Sequence, residues 1–201
     1  MKLVLATRNR GKVRELDEML RERKEIKVLS LVDFPDAPDV VEDGETYQAN
    51  AAQKATVIAK YTGCLTLADD SGLEVDALNG SPGVHSARYA GEGATDAERI
   101  SKLLDALKSV PDGQRTARFK CAVALAEPDG HAHVAVGVCE GRILREARGS
   151  HGFGYDPVFV PSGYNQTFAE LGEDVKNRMS HRAKALEMAK KYIQRREISS
   201  L

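Results

Sequence analysis

Residues 67–76 read LADDSGLEVD, and an apolar run from Cys64 to Ala68 stops there at two adjacent carboxylates, Asp69 and Asp70. Like charges side by side are costly unless something relieves them. A hard divalent cation lying against phosphates would do so, because it needs only one or two protein carboxylates and takes its other oxygens from the phosphates and water. Successive residues of a strand face opposite ways, so only one of Asp69 and Asp70 can face a given pocket, and spacing does not say which. A second carboxylate could come from Glu42, Asp43 or Glu45 in the acidic stretch Val41-Glu42-Asp43-Gly44-Glu45. The competing structural reading is a turn through Ser71-Gly72 capped by both aspartates.

Cations are placed just as unusually. Arg8, Arg10 and Lys12, in Ala6-Thr7-Arg8-Asn9-Arg10-Gly11-Lys12, crowd the predicted start of a helix, where the dipole favours negative charge. Lys176-Asn177-Arg178-Met179-Ser180-His181-Arg182 repeats the pattern, with Ser180 as N-cap and His181 and Arg182 in the first turn. One such site is accidental; two in a chain of balanced charge suggest a polyphosphate held between them. The first is not a Walker loop, since the G-x-x-x-x-G-K-[ST] spacing is absent. Gly149 to Pro157, reading GSHGFGYDP, is a glycine-rich loop able to bring backbone and an aromatic face to a flat ring. Phe153 could stack on a purine while backbone groups or Asp156 read its edge, and the alternative is a tight turn with Phe153 and Tyr155 in the core. His131 and His133 read as one exposed face of a strand rather than as ligands.

The elements that must carry these residues follow from periodicity. Leu3–Ala6 predicts a buried strand, and Val13, Leu16, Met19 and Leu20 a following helix. A second helix is expected over Thr46–Tyr61, then, after Gly63, a strand ending in the aspartates. A third helix spans Asp96–Leu107 with Thr95 as N-cap. Thr116–Ala126 and His131–Cys139 form a hairpin about the turn Glu127-Pro128-Asp129-Gly130. A last helix runs over His181–Arg195, with Ala183, Leu186, Ala189 and Ile193 on one face. Crossover helices together with a hairpin predict a mixed sheet with helices packed on it, in one lobe or two.

Composition narrows the function classes. The 29 Lys plus Arg against 30 Asp plus Glu give a formal charge of −1, so there is no global basic field for nucleic acid. The chain's 201 residues, 42% hydrophobic, suffice for a core without staples. Cys64, Cys121 and Cys139 are odd in number and set among aliphatic residues, as expected of buried thiols in a reducing compartment. The apolar stretch at Met1–Ala6 is too short for a signal peptide or a membrane span, which predicts a cytoplasmic protein.

With these residues in view, the chain resembles the inosine triphosphate pyrophosphatase family, which hydrolyses non-canonical purine nucleoside triphosphates. The resemblance rests on Thr7, Asn9 and Lys12; on Asn50-Ala51 with Lys54; on LADDSGLEVDAL; on Pro82-Gly83-Val84-His85-Ser86-Ala87-Arg88-Tyr89; on Gly152-Phe153-Gly154-Tyr155-Asp156-Pro157; and on Ser180-His181-Arg182. It implies an α/β fold, with a long central mixed sheet, flanking helices and two lobes around a nucleotide cleft, forming one domain over residues 1–201. It further implies a homodimer that uses Mg2+ to cleave ITP, dITP and XTP to the nucleoside monophosphate and pyrophosphate, alongside the cytoplasmic location and the absence of nucleic-acid or membrane partners expected from composition. By the resemblance Asp70 is general base and metal ligand, Glu42 the other metal ligand, and Asp69, Lys12 and Lys54 complete the catalytic set. Thr7, Arg8, Asn9, Arg10, Gly11, Lys12, Ser71, Lys176, His181 and Arg182 would hold the nucleotide, with Phe153, Gly154, Tyr155 and Asp156 around the base. One departure is visible: Ala49 stands where many members carry Glu. A regulatory module that binds nucleotides without hydrolysis is the rival reading, and Glu42 and Asp70 argue against it, since a polyanion binder gains nothing from carboxylates beside phosphates.

Overall fold

The computed structural model describes residues 1–20 and 26–199. Short apolar runs form β1 (Lys2–Leu5) and β2 (Lys27–Ser30), separated by α1 (Arg10–Leu20). The chain continues through α2 (Tyr47–Thr62), β3 (Leu65–Val75), α3 (Asp96–Ala106), β4 (Thr116–Ala126), β5 (Ala132–Ile143) and β6 (Phe159–Pro161), and ends with α4 (Phe168–Leu171), α5 (Glu173–Met179) and α6 (His181–Ser199). The strands form one six-stranded sheet in the order β2-β1-β3-β4-β5-β6. It is mixed, as expected: β1 runs parallel to β2 and β3, whereas β5 and β6 are antiparallel.

Local chemistry sets most of the boundaries. Thr46 Oγ1 accepts the Ala49 N–H at 3.1 Å to open α2, and Gly63, at φ 64°, closes it in the left-handed region that glycine adopts without strain. Thr95 and Glu98 form a reciprocal capping box on α3. The β4–β5 turn closes with the Gly130 N–H donating to the Glu127 carbonyl at 3.0 Å. One expected boundary is corrected. β3 does not end at the aspartates but runs through both of them and Ser71-Gly72 to Val75, because the apolar alternation resumes at Leu73 and Val75. The turn reading of Asp69 and Asp70 therefore fails.

The chain divides into two compact units. The first comprises Met1–Asp70, Cys121–Gly137 and Arg182–Leu201, and the second Ser71–Lys120 and Val138–His181. The first buries Leu3 and Leu5 of β1, Leu65 and Leu67 of β3, Val123 and Leu125 of β4, Leu16 and Leu20 of α1, and Leu186, Ala189 and Ile193 of α6 in one core. The second closes around Leu73, Val75, Leu103, Phe119, Val158, Phe159 and Phe168. Ring contacts among Phe119, Phe159 and Phe168, tilted at Phe119 and stacked between the other two, with centroids 4.6 to 6.3 Å apart, pack that core.

At the β5–β6 pairing, Gly141 lies opposite Pro161, and a Cβ there would sit 2.3 Å from the Val160 carbonyl oxygen and 2.5 Å from the Phe159 ring. Neither neighbour is free to retreat, since one is backbone and the other is core. Gly141→Ala is expected to destabilise the protein by about 1–3 kcal/mol through overpacking. Urea unfolding measures this, and an unchanged midpoint would refute the tight approach.

Candidate active site

Strand alternation separates the two aspartates. Asp69 shares its side of β3 with Leu65 and Leu67, and Asp70 shares the other with Thr66 and Ala68. Asp69 is fully buried and its Oδ2 collects three cationic donors: Lys12 Nζ at 3.1 Å, and Arg182 Nε and Nη2, each at 3.1 Å. Arg182, itself 1% exposed, reaches Glu15 of α1 with its remaining arm. Two carboxylates and two cations thus neutralise one another inside the first unit. Burial pushes the Asp69 carboxyl up, but the charges of Lys12, Arg182 and Lys54 outweigh it and hold the group well below the usual carboxylate range. Cys121, 4.0 Å from Asp69 Oδ2, is driven the other way: burial and that carboxylate push its thiol up to about 12, so it is no thiolate nucleophile at neutral pH.

Asp70 occupies the opposite kind of environment. It is 5% exposed; burial pushes its carboxyl up, a hydrogen bond from Asn50 opposes this, and the nearby charge of Glu42 pushes it up again, for a net rise. Asn50 Nδ2 donates to Asp70 Oδ2 at 2.9 Å, and Asn50 Oδ1 accepts the Gly44 N–H at 2.8 Å. Glu42 is ion-paired with Lys54, one turn beyond Asn50 on α2. Two oxygen-bearing acids with a lysine beside them form a hard-donor set suited to a divalent cation next to phosphates. Among the described residues no group of three or more His, Cys, Asp or Glu could hold a metal unaided. Asp70 and Glu42 therefore fit a cation that completes its shell with phosphate oxygens and water.

The loop from Thr7 to Lys12 is organised by Asn9. Its Oδ1 accepts from the Gly11 and Lys12 N–H groups at 2.9 and 3.1 Å, and Thr7 Oγ1 accepts the Asn9 N–H at 3.2 Å. The Asn9 cap thus takes two of the helix-start amides that would otherwise be open to an anion. Lys12 and the exposed Arg10 carry positive charge at this end. Arg8 is held to the Ala37 carbonyl at 3.2 Å and to Asp39 at 3.5 Å.

The second unit holds the other expected ligand residues, several with internal partners. Lys176 is not at a helix start but in the last turn of α5, 3% exposed, with Nζ 2.6 Å from Asp156 Oδ2 and 4.3 Å from the centre of the Phe153 ring. The same Asp156 oxygen accepts the Phe153 N–H at 2.9 Å, so this acid shapes the loop rather than presenting an edge to a base. Gly154 N–H donates to Asp96 at 2.7 Å, and the buried Tyr155 donates its hydroxyl to the Ser86 carbonyl at 2.9 Å. Phe153 is the half-buried ring of the loop. His181 stacks on Phe119 at 4.7 Å and is 4% exposed, which places it in the core rather than as an open first-turn cation. Ser71, half-buried, opens this unit directly after Asp70. His133 lies on an exposed strand face, as expected, and stacks on Tyr192 at 4.5 Å.

Sequence reasoning assigned no role to Glu15 or Asn50. A signal existed for both: Glu15 adjoins the apolar stripe of α1 at Leu16, and Asn50 and Lys54 lie on the stripe of α2 formed by Tyr47, Ala51, Ala55 and Ile58. Polar residues at buried helical positions are there for a partner. Because Arg182 is a buried cation shared by two carboxylates, Arg182→Met is expected to cost about 3–5 kcal/mol by leaving Asp69 and Glu15 uncompensated. A chemical unfolding series decides it; wild-type stability with weakened ligand binding would return Arg182 to the ligand-holding role.

The chain is 55% identical over 195 residues to a protein from Desulforamulus reducens named dITP/XTP pyrophosphatase, covering 97% of this chain and 96% of that one. It is 50% identical over 192 residues to a protein of the same name from Shouchella clausii, covering 96% of each. Among solved structures, a HAM1 protein from Coxiella burnetii superposes with a TM-score of 0.87 at 47% identity, covering 97% of this chain and 99% of that one. A nucleoside-triphosphatase described as a dITP/XTP pyrophosphatase from Mycobacterium abscessus gives 0.77 at 43% identity, with 94% and 98% covered. The sequence pattern of the Ham1 family matches residues 3–192, running through both units and every motif above, and the chain belongs to that family.

Proposed function

We propose that this protein is a nucleoside triphosphate pyrophosphatase that converts non-canonical purine nucleoside triphosphates, ITP, dITP and XTP, to the monophosphate and pyrophosphate. The relatives named dITP/XTP pyrophosphatase support the activity. The observation that carries the mechanism is the pairing of Asp70 with Glu42 beside Lys54, carboxylates that a simple polyanion binder would not use. Asp70 acts as general base, taking a proton from the water that attacks the α-phosphorus. Lys12 and Lys54 neutralise charge on the phosphates, and the leaving group is pyrophosphate. Mg2+ is the proposed cofactor, held by Asp70 and Glu42; when bound it supplies charge neutralisation at the phosphate oxygens. Asp69 serves this chemistry indirectly, by fixing Lys12.

The base is assigned to the loop of the second unit, where Phe153 supplies an aromatic face and Lys176 sits over its ring. Hypoxanthine and xanthine carry a 6-oxo group where adenine carries an amino group, so a donor aimed at that position gains a bond from the former and meets a second donor in the latter. Residues 1–201 act as a single pyrophosphatase domain in this proposal. A cytoplasmic homodimer is also part of it, supported by the family resemblance. No helix among the described residues is long and apolar enough to cross a membrane.

The test is pyrophosphate release across a nucleotide panel with and without Mg2+. A buried donor left unpaired costs about 1–3 kcal/mol, and with more than one contact changed kcat/KM for ITP and XTP is expected to exceed that for ATP by about 100-fold or more, with GTP also poor. Chelation of Mg2+ is expected to abolish release. Equal values for ITP and ATP would leave only a general pyrophosphatase, and undiminished release without a divalent cation would remove the metal from the mechanism.

A further inference from the structure

We propose that Asn50 is a positioning residue that sets the acidic stretch 42–45 against Asp70 and so builds the cation site from two segments distant in sequence. The inference rests on the Mg2+ reading above and deepens it. Asn50 is 2% exposed on α2, and both ends of its carboxamide are engaged: Oδ1 accepts the Gly44 N–H at 2.8 Å while Nδ2 donates to Asp70 Oδ2 at 2.9 Å. The orientation of the amide is dictated by its neighbours, since a backbone N–H demands an acceptor and a carboxylate demands a donor. No other residue of this length offers one of each. Aspartate would set an acceptor against the Asp70 carboxylate, and serine falls short of both.

One turn along α2, Lys54 grips the same stretch at Glu42. The helix therefore holds the two proposed cation ligands by different devices, Glu42 through an ion pair and Asp70 through Asn50, while the Gly44 bond ties the stretch to the same amide. Gly44 is as small as the contact requires: a Cβ there would lie 2.6 Å from Asn50 Oδ1 and 3.2 Å from the Ala49 Cβ. This chain attaches the stretch to α2 through Asn50 and Lys54. Orienting a metal-binding carboxylate by a neighbour's hydrogen bond is a general means of raising cation affinity.

Two variants test the role. Asn50→Ala removes both bonds, and Gly44→Ala, at a half-buried surface position, disturbs the same contact with less risk to folding. In each, the Mg2+ concentration giving half-maximal ITP turnover is expected to rise about 10- to 100-fold while kcat at saturating Mg2+ stays within about threefold of wild type. Calorimetric titration of Mg2+ into the nucleotide-free protein is expected to show the same direction, and the Gly44 amide of Asn50→Ala is expected to exchange with solvent faster. A purely structural residue would lower thermal stability and leave Mg2+ half-saturation alone. A Mg2+-dependent wild type whose variants keep that half-saturation within about twofold would overturn the positioning role and leave the metal reading intact. A wild type indifferent to Mg2+ would overturn both.

Discussion

The two-residue period of β3 is the constraint on which the rest of the site depends. It sends adjacent carboxylates to opposite sides of one strand, and each meets a different electrostatic world. Asp69 is buried against Lys12 and Arg182, whose charges outweigh the burial and hold it well below the usual carboxylate range; burial and the charge of Glu42 push Asp70 the other way, against the hydrogen bond from Asn50. Two identical side chains are thereby separated into a permanent anion that organises cations and an acid able to accept a proton. Groups with values pushed apart in this way are how one site divides structural from chemical work.

The network around Asp69 also accounts for the anomalous cations. Arg182 is at a helix start because its partners, Asp69 and Glu15, lie within reach there, and its charge is balanced inside the first unit. Lys176 is matched in the same way by Asp156 in the second unit, where the pair fixes the backbone of the glycine-rich loop. Neutral, buried pairs such as these are costly to break and well suited to holding geometry. Charge open to a polyanion in this unit includes the exposed Arg10 and the half-buried Lys12, with the more deeply set Lys54 beside Glu42.

Much of the scaffold was legible before the structure. A short apolar run identified β1, two strand-like stretches about a turn identified β4 and β5, helical stripes identified α1, α3 and α6, α2 was expected over nearly its observed span, and Thr95 marked the start of α3. The reading placed the end of β3 too early because two charges looked like a turn, whereas tertiary partners accommodate them in mid-strand. The site was legible as a set of residue types but not as a set of contacts. Arg182 meets Glu15 from 167 positions away and Asp69 from 113, separations at which local pattern carries no information about pairing. The same limit made His181 and Arg182 look like free cations, although Phe119, Asp69 and Glu15 had claimed them. Asn50 was missed for a different reason: it was read as part of a motif rather than as a polar residue on a buried helical stripe.

The division of labour between the adjacent carboxylates is tested most directly by comparing Asp69→Asn and Asp70→Asn in parallel urea unfolding and turnover assays. The Asp70 carboxyl is raised by folding, so its ionised form weighs against the folded state at neutral pH, and the neutral amide is expected to leave the unfolding midpoint unchanged or higher. Turnover is expected to fall by about 100- to 10,000-fold with loss of the base. Asp69 is lowered by folding and contributes stability above the ordinary carboxylate range, so Asp69→Asn is expected to lower stability by about 3–5 kcal/mol as Lys12 and Arg182 lose their counter-charge. Near-normal turnover in Asp70→Asn, or wild-type stability in Asp69→Asn, would contradict the account.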